Sequence, residues 1–324
     1  MRYGELLTRS FSIAWRHPYL WFLALFAGEG AAGGGSGNLG SPGGFPGGGG
    51  GGNARGGGGT GPAIPPDTAA ALGHWIGDHI SLLITVGVVL VVLLVALFLF
   101  SCVAQPALIR ASAEHDAERP YGLGPALRFG LTAFWRVLGL KLLALAVLIV
   151  VFGVGALLVI LGVTSAQAGN SAGVAGAIGL GILLLLILIP VAVVLGVVYT
   201  FAVRAISLDG RGPISGIAEG FRLLFRRFWR VALVWVIMFG VLLGVGAALG
   251  ILQLALLIPL ALAVGVVYVM SSHVGSAIAI LAVAGIVFLT ITFVIGAAIG
   301  AYFSTYWTLA YRRLDLEPQA VTPT

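Results

Sequence analysis

Apolar residues follow two patterns along this chain. Long uninterrupted runs, such as Leu82 to Ser101, Leu142 to Val163 and Ala277 to Thr305, match or exceed the ~20 residues that carry a helix across a hydrocarbon core about 30 Å thick. Between them lie shorter stretches in which apolar side chains recur every three or four positions, the period of a helix with one apolar face. The long runs do not alternate with polar residues as barrel strands do, and backbone in lipid must bond within its own segment, so the runs are helices. The pattern predicts an all-α integral membrane protein.

The periodic stretches share a design. Residues 3 to 16 place Tyr3, Leu7, Phe11 and Trp15 on one helical face, with Glu5, Arg9 and Arg16 off it. Arg2, Arg9 and Arg16 ahead of the apolar run Tyr19 to Ala27 imitate a signal peptide, but the charged part is too long for one. A second helix starts at Gly124-Pro125, proline being accepted at a first helical position. It carries Leu123, Leu127, Leu131 and Phe134 and ends in Phe134-Trp135-Arg136-Val137. The same tetrapeptide returns 94 positions later as Phe228-Trp229-Arg230-Val231, after a Gly212-Pro213 start. There Ile214, Ile217, Phe221, Leu224 and Phe228 form the stripe, while Glu219, Arg222, Arg226, Arg227 and Arg230 stay mostly off it. Ala14-Trp15-Arg16 is a degenerate first copy.

The apolar runs also end alike, at Leu108-Ile-Arg110-Ala, Ala202-Val-Arg204-Ala and Ala310-Tyr-Arg312-Arg313, followed by Glu114, Asp209 and Asp315. The reading is a six-span bundle built from three repeats, each an interfacial amphipathic helix plus a two-span hairpin. One membrane domain covers 1–324, divided into 1–111, 112–211 and 212–318 with a tail at 319–324. Residues 28–66 form a Gly-rich outer loop, expected to be disordered because it lacks the apolar side chains that would offset its ordering entropy.

Sixteen of the 17 basic residues then share one face, leaving Arg55 on the other. By the positive-inside rule both termini are cytoplasmic. The stretch Arg230 to Met270 is long enough for two short spans, and its Ile258-Pro-Leu-Ala-Leu-Ala-Val-Gly-Val-Val-Tyr268 resembles Ile189-Pro-Val-Ala-Val-Val-Leu-Gly-Val-Val-Tyr199. A seventh span would put Arg312 and Arg313 outside, so Gln253 to Met270 is read as a kinked extension or re-entrant piece.

Composition sharpens this picture. The chain is 59% hydrophobic and 9% charged, with a mean hydropathy of +1.09, far below the roughly 25% charge of soluble domains. The net charge of +6 fits topology and anionic lipid rather than nucleic acid. Cys102, the single cysteine, excludes an intrachain disulfide. No Asp or Glu falls in a predicted span, so a carboxylate proton relay has no material.

Other candidates for chemistry weigh less. Lys141 sits near the cytoplasmic interface, where snorkelling outweighs a ligand role. Gln105 and Gln253 read as interhelical hydrogen-bond partners. Gly240-x-x-x-Gly244, Gly246-x-x-x-Gly250 and Gly296-x-x-x-Gly300 permit close helix packing, and Pro106, Pro190 and Pro259 permit kinks. His74, Asp78, His79 and His273 read as solvated side chains. Gly28-Glu-Gly30-Ala-Ala-Gly33 lacks the strand and helix of a dinucleotide site. No catalytic residue, metal or cofactor is expected. The residues expected to meet lipid are Trp15, Arg16, Trp135, Arg136, Arg222, Arg226, Arg227, Trp229 and Arg230, engaging the anionic cytoplasmic leaflet.

The repeated Phe-Trp-Arg helices, the basic exits, the Gly-rich loop and the closing Tyr306-Trp-Thr-Leu-Ala-Tyr-Arg-Arg313 resemble a group of uncharacterised prokaryotic multi-pass membrane proteins. These look like the membrane domain joined to some glycerophosphodiester phosphodiesterases. The resemblance implies topology only, since no phosphodiesterase domain is attached and nothing catalytic carries over. Two functions are expected: a non-enzymatic protein that organises lipid or a membrane partner, a second copy included, or alternatively a transporter for a small amphiphile. Two-span repeats keep one orientation, unlike inverted repeats, which lowers the transporter. A reporter fused after Thr324 is expected to read cytoplasmic, and an external reading would sink the six-span model.

Overall fold

The computed structural model describes residues 3–28, 77–271 and 274–316, which are helical with no strand among them. In chain order the helices are α1 (Tyr3–Arg16), α2 (Tyr19–Ala27), α3 (Ile80–Asp116), α4 (Leu123–Gln167), α5 (Ser171–Asp209), α6 (Pro213–Arg226), α7 (Phe228–Ser271) and α8 (Val274–Leu316). Helix starts follow local chemistry. Pro213 opens α6 behind an extended Gly212, and the Asn170 side chain caps α5 by accepting from the Gly173 amide at 3.0 Å. Gly210, in the left-handed region at φ 68°, ends α5. Apart from Gly28, the Gly-rich stretch 28–66 lies outside the described residues, as do His74, His273 and the tail 319–324.

Five helices among the described residues are long and apolar enough to cross a membrane, lying in α3, α4, α5, α7 and α8. The expected first span is represented by α2, whose 9 residues end at Gly28 with φ 74°. At 1.5 Å per residue it reaches ~13 Å, well short of a crossing. The stretch Arg230 to Met270 lies within one helix, α7, which passes through Pro259 without ending. The 45 residues of α4 reach ~67 Å, so its first turns must lie outside the hydrocarbon.

The chain divides into two compact units. In the smaller, Gly40–Leu99, the described part is the start of α3, with apolar side chains such as Val86, Val89 and Val92 turned outward. In the larger, the apolar middles of the spans are likewise exposed, and burial gathers where α3, α5 and α8 end. One cluster joins Leu6, Leu20 and Leu23 to Ala107, Leu108, Tyr306 and Leu309. Another joins Phe201, Leu223, Val231, Tyr311 and Leu314. Polar links tie the same ends: Ser112 to Thr305 at 3.0 Å, the Tyr306 hydroxyl donating to the Val234 carbonyl at 3.0 Å, and the Arg204 guanidinium donating to the Ser304 carbonyl at 3.3 Å.

Two expectations about packing are corrected. Among the described residues Gly240, Gly244, Gly246 and Gly250 face open space, and so does Gly296, whereas its pair partner Gly300 is buried. The close approaches occur lower down. A Cβ on Gly220 would lie 2.6 Å from the Val198 carbonyl oxygen, one on Gly216 would lie 3.0 Å from Ile206, and Gly130 sits directly on the Val103 carbonyl. Lys141 does not snorkel to solvent: it is buried and its ammonium donates to the Ser101 hydroxyl at 2.7 Å, joining α4 to α3.

Alanine at position 220 gains about 1 kcal/mol of helix propensity but meets backbone that cannot rotate away, an overpacking that costs about 1–3 kcal/mol. Gly220→Ala is therefore expected to lower the melting temperature in detergent, while Gly244→Ala leaves it unchanged or raises it.

Candidate functional site

The three periodic segments fold as α1, the first turns of α4, and α6 with the first turn of α7, and each buries one face. Their inner faces hold mainly small or slender residues: Leu6, Ser10, Ile13 and Ala14 in α1, Ala126, Gly130 and Ala133 in α4, Gly216, Gly220 and Leu223 in α6. Their tryptophans and several other large apolar side chains point away from the protein. Trp15 is 61% exposed, Trp135 76% and Trp229 83%, and Phe11, Leu131, Ile214 and Phe225 lie outward with them. Neighbouring rings brace these positions: Phe11 stacks on Trp15 at 5.7 Å, Trp15 tilts against Trp21 at 5.3 Å, and Phe221 stacks on Phe225 at 6.2 Å. The Trp21 indole donates to the Ala14 carbonyl at 2.8 Å, fixing the α1–α2 corner.

This arrangement corrects the stripe read for residues 214 to 228. The helix ends at Arg226, Arg227 departs from helical geometry (φ −133°, ψ 38°), and Phe228 opens α7. Of the five expected stripe residues Leu224 is buried, Ile217 and Phe221 are half-buried, and Ile214 and Phe228 are exposed. The glycine face lets α6 settle onto α5 and leaves the large residues outside. Glu219, expected off the apolar face, is buried, because Arg211 bonds it at 2.9 Å.

Arg16, Arg136, Arg222, Arg226 and Arg230 are exposed and Arg227 is half-buried. Arg136 donates to the Gly210 carbonyl at 2.8 Å, and Arg222 stands 3.9 Å from Glu219. The nine expected lipid residues thus lie in three separate places, on α1, on the start of α4, and on α6 and the first turn of α7 that follows it, and do not converge on one pocket.

A convergent site exists elsewhere, where the three span ends meet. Asp116 receives Arg9 at 2.7 Å and Arg312 at 2.9 Å. Glu114 receives Arg110 at 2.7 Å and lies 3.5 Å from Arg119. The Tyr311 hydroxyl donates to Asp209 at 2.6 Å, and Arg110 lies over the Phe129 ring at 5.4 Å. Among them Arg110, Glu114, Arg119, Asp209, Tyr311 and Arg312 line a cavity of about 320 Å³. The third exit arginine, Arg204, is 1% exposed and donates to the Thr200 carbonyl at 2.8 Å. The likeness of the exits showed which arginines to compare, but the partners Asp116 and Arg9 are 107 residues apart and had no signal in spacing. Among the described residues no group of three or more His, Cys, Asp or Glu is placed to hold a metal.

At the α1–α2 corner the His17 ring lies parallel to His115 at 3.7 Å, and the Tyr19 hydroxyl meets His115 and donates to the Tyr121 carbonyl at 3.0 Å. Burial first, and then the charge of Arg16, holds the His17 imidazole below its ordinary value of 6.5. The unfolded chain therefore binds a proton at this position more readily than the folded one, and stability falls as pH drops below 6.5. Thermal unfolding is expected to be flat from pH 8 to 7 and to shift to lower temperature toward pH 5, with a smaller decline in His17→Gln.

No curated protein and no solved structure matched the chain. A family model matched residues 5–315, described as a family of unknown function, DUF7544, and it does not connect the chain to the phosphodiesterase-linked domain. With that match running from α1 to the end of α8, the chain belongs to the DUF7544 family.

Proposed function

We propose that this protein is a non-catalytic membrane protein that organises lipid, or a membrane partner, through basic interfacial helices on the cytoplasmic side of a prokaryotic plasma membrane. The observation that carries this reading is that α1, the start of α4, and α6 with the first turn of α7 each bury a face of small or slender residues and expose a tryptophan: Trp15, Trp135 and Trp229. Exposed tryptophan is stable at headgroup depth, where the ring is apolar and the N–H is wet. Arginines beside it attract an anionic leaflet by about 1 kcal/mol each near the surface.

Six crossings in three repeats fit the same observations. Arg9 of α1 meets the last residue of α3, so α1 lies at the face where α3 ends. The Phe-Trp-Arg segments at 134 and 228 both stand beside span ends, as repeats of one unit would.

A peptide covering 213–231 contains Trp229 as its one tryptophan, so binding can be read from its fluorescence. Replacing Arg222, Arg226 and Arg227 together by Gln is expected to weaken binding to vesicles with a quarter anionic lipid at least tenfold, with neutral vesicles unaffected. Unchanged affinity for the anionic vesicles would remove the support for lipid engagement.

A further inference from the structure

We infer that the cavity at the meeting of the α3, α5 and α8 ends is a binding site for a small zwitterion in which a phosphate stands beside a primary ammonium. The reasoning begins with its charges. Three guanidiniums, Arg110, Arg119 and Arg312, and two carboxylates, Glu114 and Asp209, line one cavity. A simple anion would sit against the carboxylates, and a simple cation against the arginines. A ligand bearing both charges, with the negative one in excess, matches a lining whose sum is +1.

Guanidinium favours phosphate because its planar fork can place two N–H groups on two oxygens. Arg119 is the mobile arm: its side chain is 72% exposed, and 3.5 Å from Glu114 is a long contact that a ligand can replace. Arg110 is steadied by Glu114 at 2.7 Å and by the Phe129 ring, and Arg312 by Asp116 and the Ala113 carbonyl, each at 2.9 Å. Asp209 supplies the anionic end. The Tyr311 hydroxyl holds its Oδ2 at 2.6 Å and Arg211 stands 3.8 Å from that same oxygen, so an ammonium would be received on Oδ1, since a carboxylate accepts on both oxygens. The volume of about 320 Å³ lies at the lower end of the ~300–1,000 Å³ typical of small-molecule sites. None of these residues belongs to the tryptophan-bearing surface, so this site stands or falls apart from the lipid-organising function.

The test uses the full chain in phosphatidylcholine nanodiscs, titrated calorimetrically with phosphoethanolamine, inorganic phosphate and ethanolamine. Saturable binding of phosphoethanolamine is expected, at least tenfold tighter than either fragment. Arg119→Gln should weaken it about tenfold, the loss of one charge-assisted contact. Asp209→Asn, which keeps the acceptor for Tyr311, should weaken phosphoethanolamine but not phosphate. Should Asp209→Asn fail to fold, the exposed Arg119→Gln decides alone. Adding phosphatidylethanolamine to the nanodisc separates the sources: weaker apparent binding of the soluble probe identifies the lipid headgroup as occupant, and unchanged binding identifies a soluble zwitterion. No saturable binding, or binding that Arg119→Gln leaves unchanged, overturns the site.

Discussion

Lipid chains are as apolar as leucine, so the long spans of this protein gain nothing from hiding their apolar sides against one another. Their middles accordingly lie open, and the contacts that make one structure of them gather where α3, α5 and α8 end. There the means of attachment are close backbone approach and hydrogen bonding. Gly130 and Gly220 bring α4 and α6 onto the carbonyls of Val103 and Val198. Ser112 and Arg204 link α3 and α5 to α8, helices that are not consecutive in the chain, and Tyr306 ties α8 back to α7. Arg204 is the most demanding element, since a buried guanidinium is stable only where carbonyls receive its protons, and Thr200 and Ser304 provide them.

The basic face therefore contains two populations of arginine. Arg9, Arg110, Arg211 and Arg312 pair with Asp116, Glu114 and Glu219: Arg110 and Arg211 bond carboxylates close by in the chain, and Arg9 and Arg312 join segments far apart in it. Exposed ion pairs contribute little one by one, but here a single carboxylate, that of Asp116, holds arginines from α1 and α8 to the end of α3. Arg222, Arg226 and Arg230 are exposed, next to Phe225 and Trp229. The first population shapes the face and the second presents it.

The interfacial helices show where periodicity informs and where it misleads. The spacing of Tyr3, Leu7, Phe11 and Trp15 correctly marks a helix, α1, and that of Ile214 to Leu224 marks α6. In a soluble protein the stripe would be the buried face. Here it is divided: Phe11, Trp15 and Ile214 are outward while Leu224 is buried and the rest are half-buried, because the bilayer competes with the protein for aromatic side chains and glycine offers the protein a closer contact. Gly216-x-x-x-Gly220 had the spacing of a packing motif inside a helix read only for its large residues, whereas the more conspicuous glycine pairs of α7 face open space.

From the sequence alone come the membrane class, the helical state, the positions of most helices and the gathering of basic residues near their ends, because hydropathy and 3.6-residue periodicity are local properties. The tertiary structure alone decided that α2 stops at Gly28, that Lys141 bonds Ser101, that Glu219 is buried, and that three exits enclose a charged cavity. Each of these depends on which residue a distant segment brings near, and that pairing has no period along the chain.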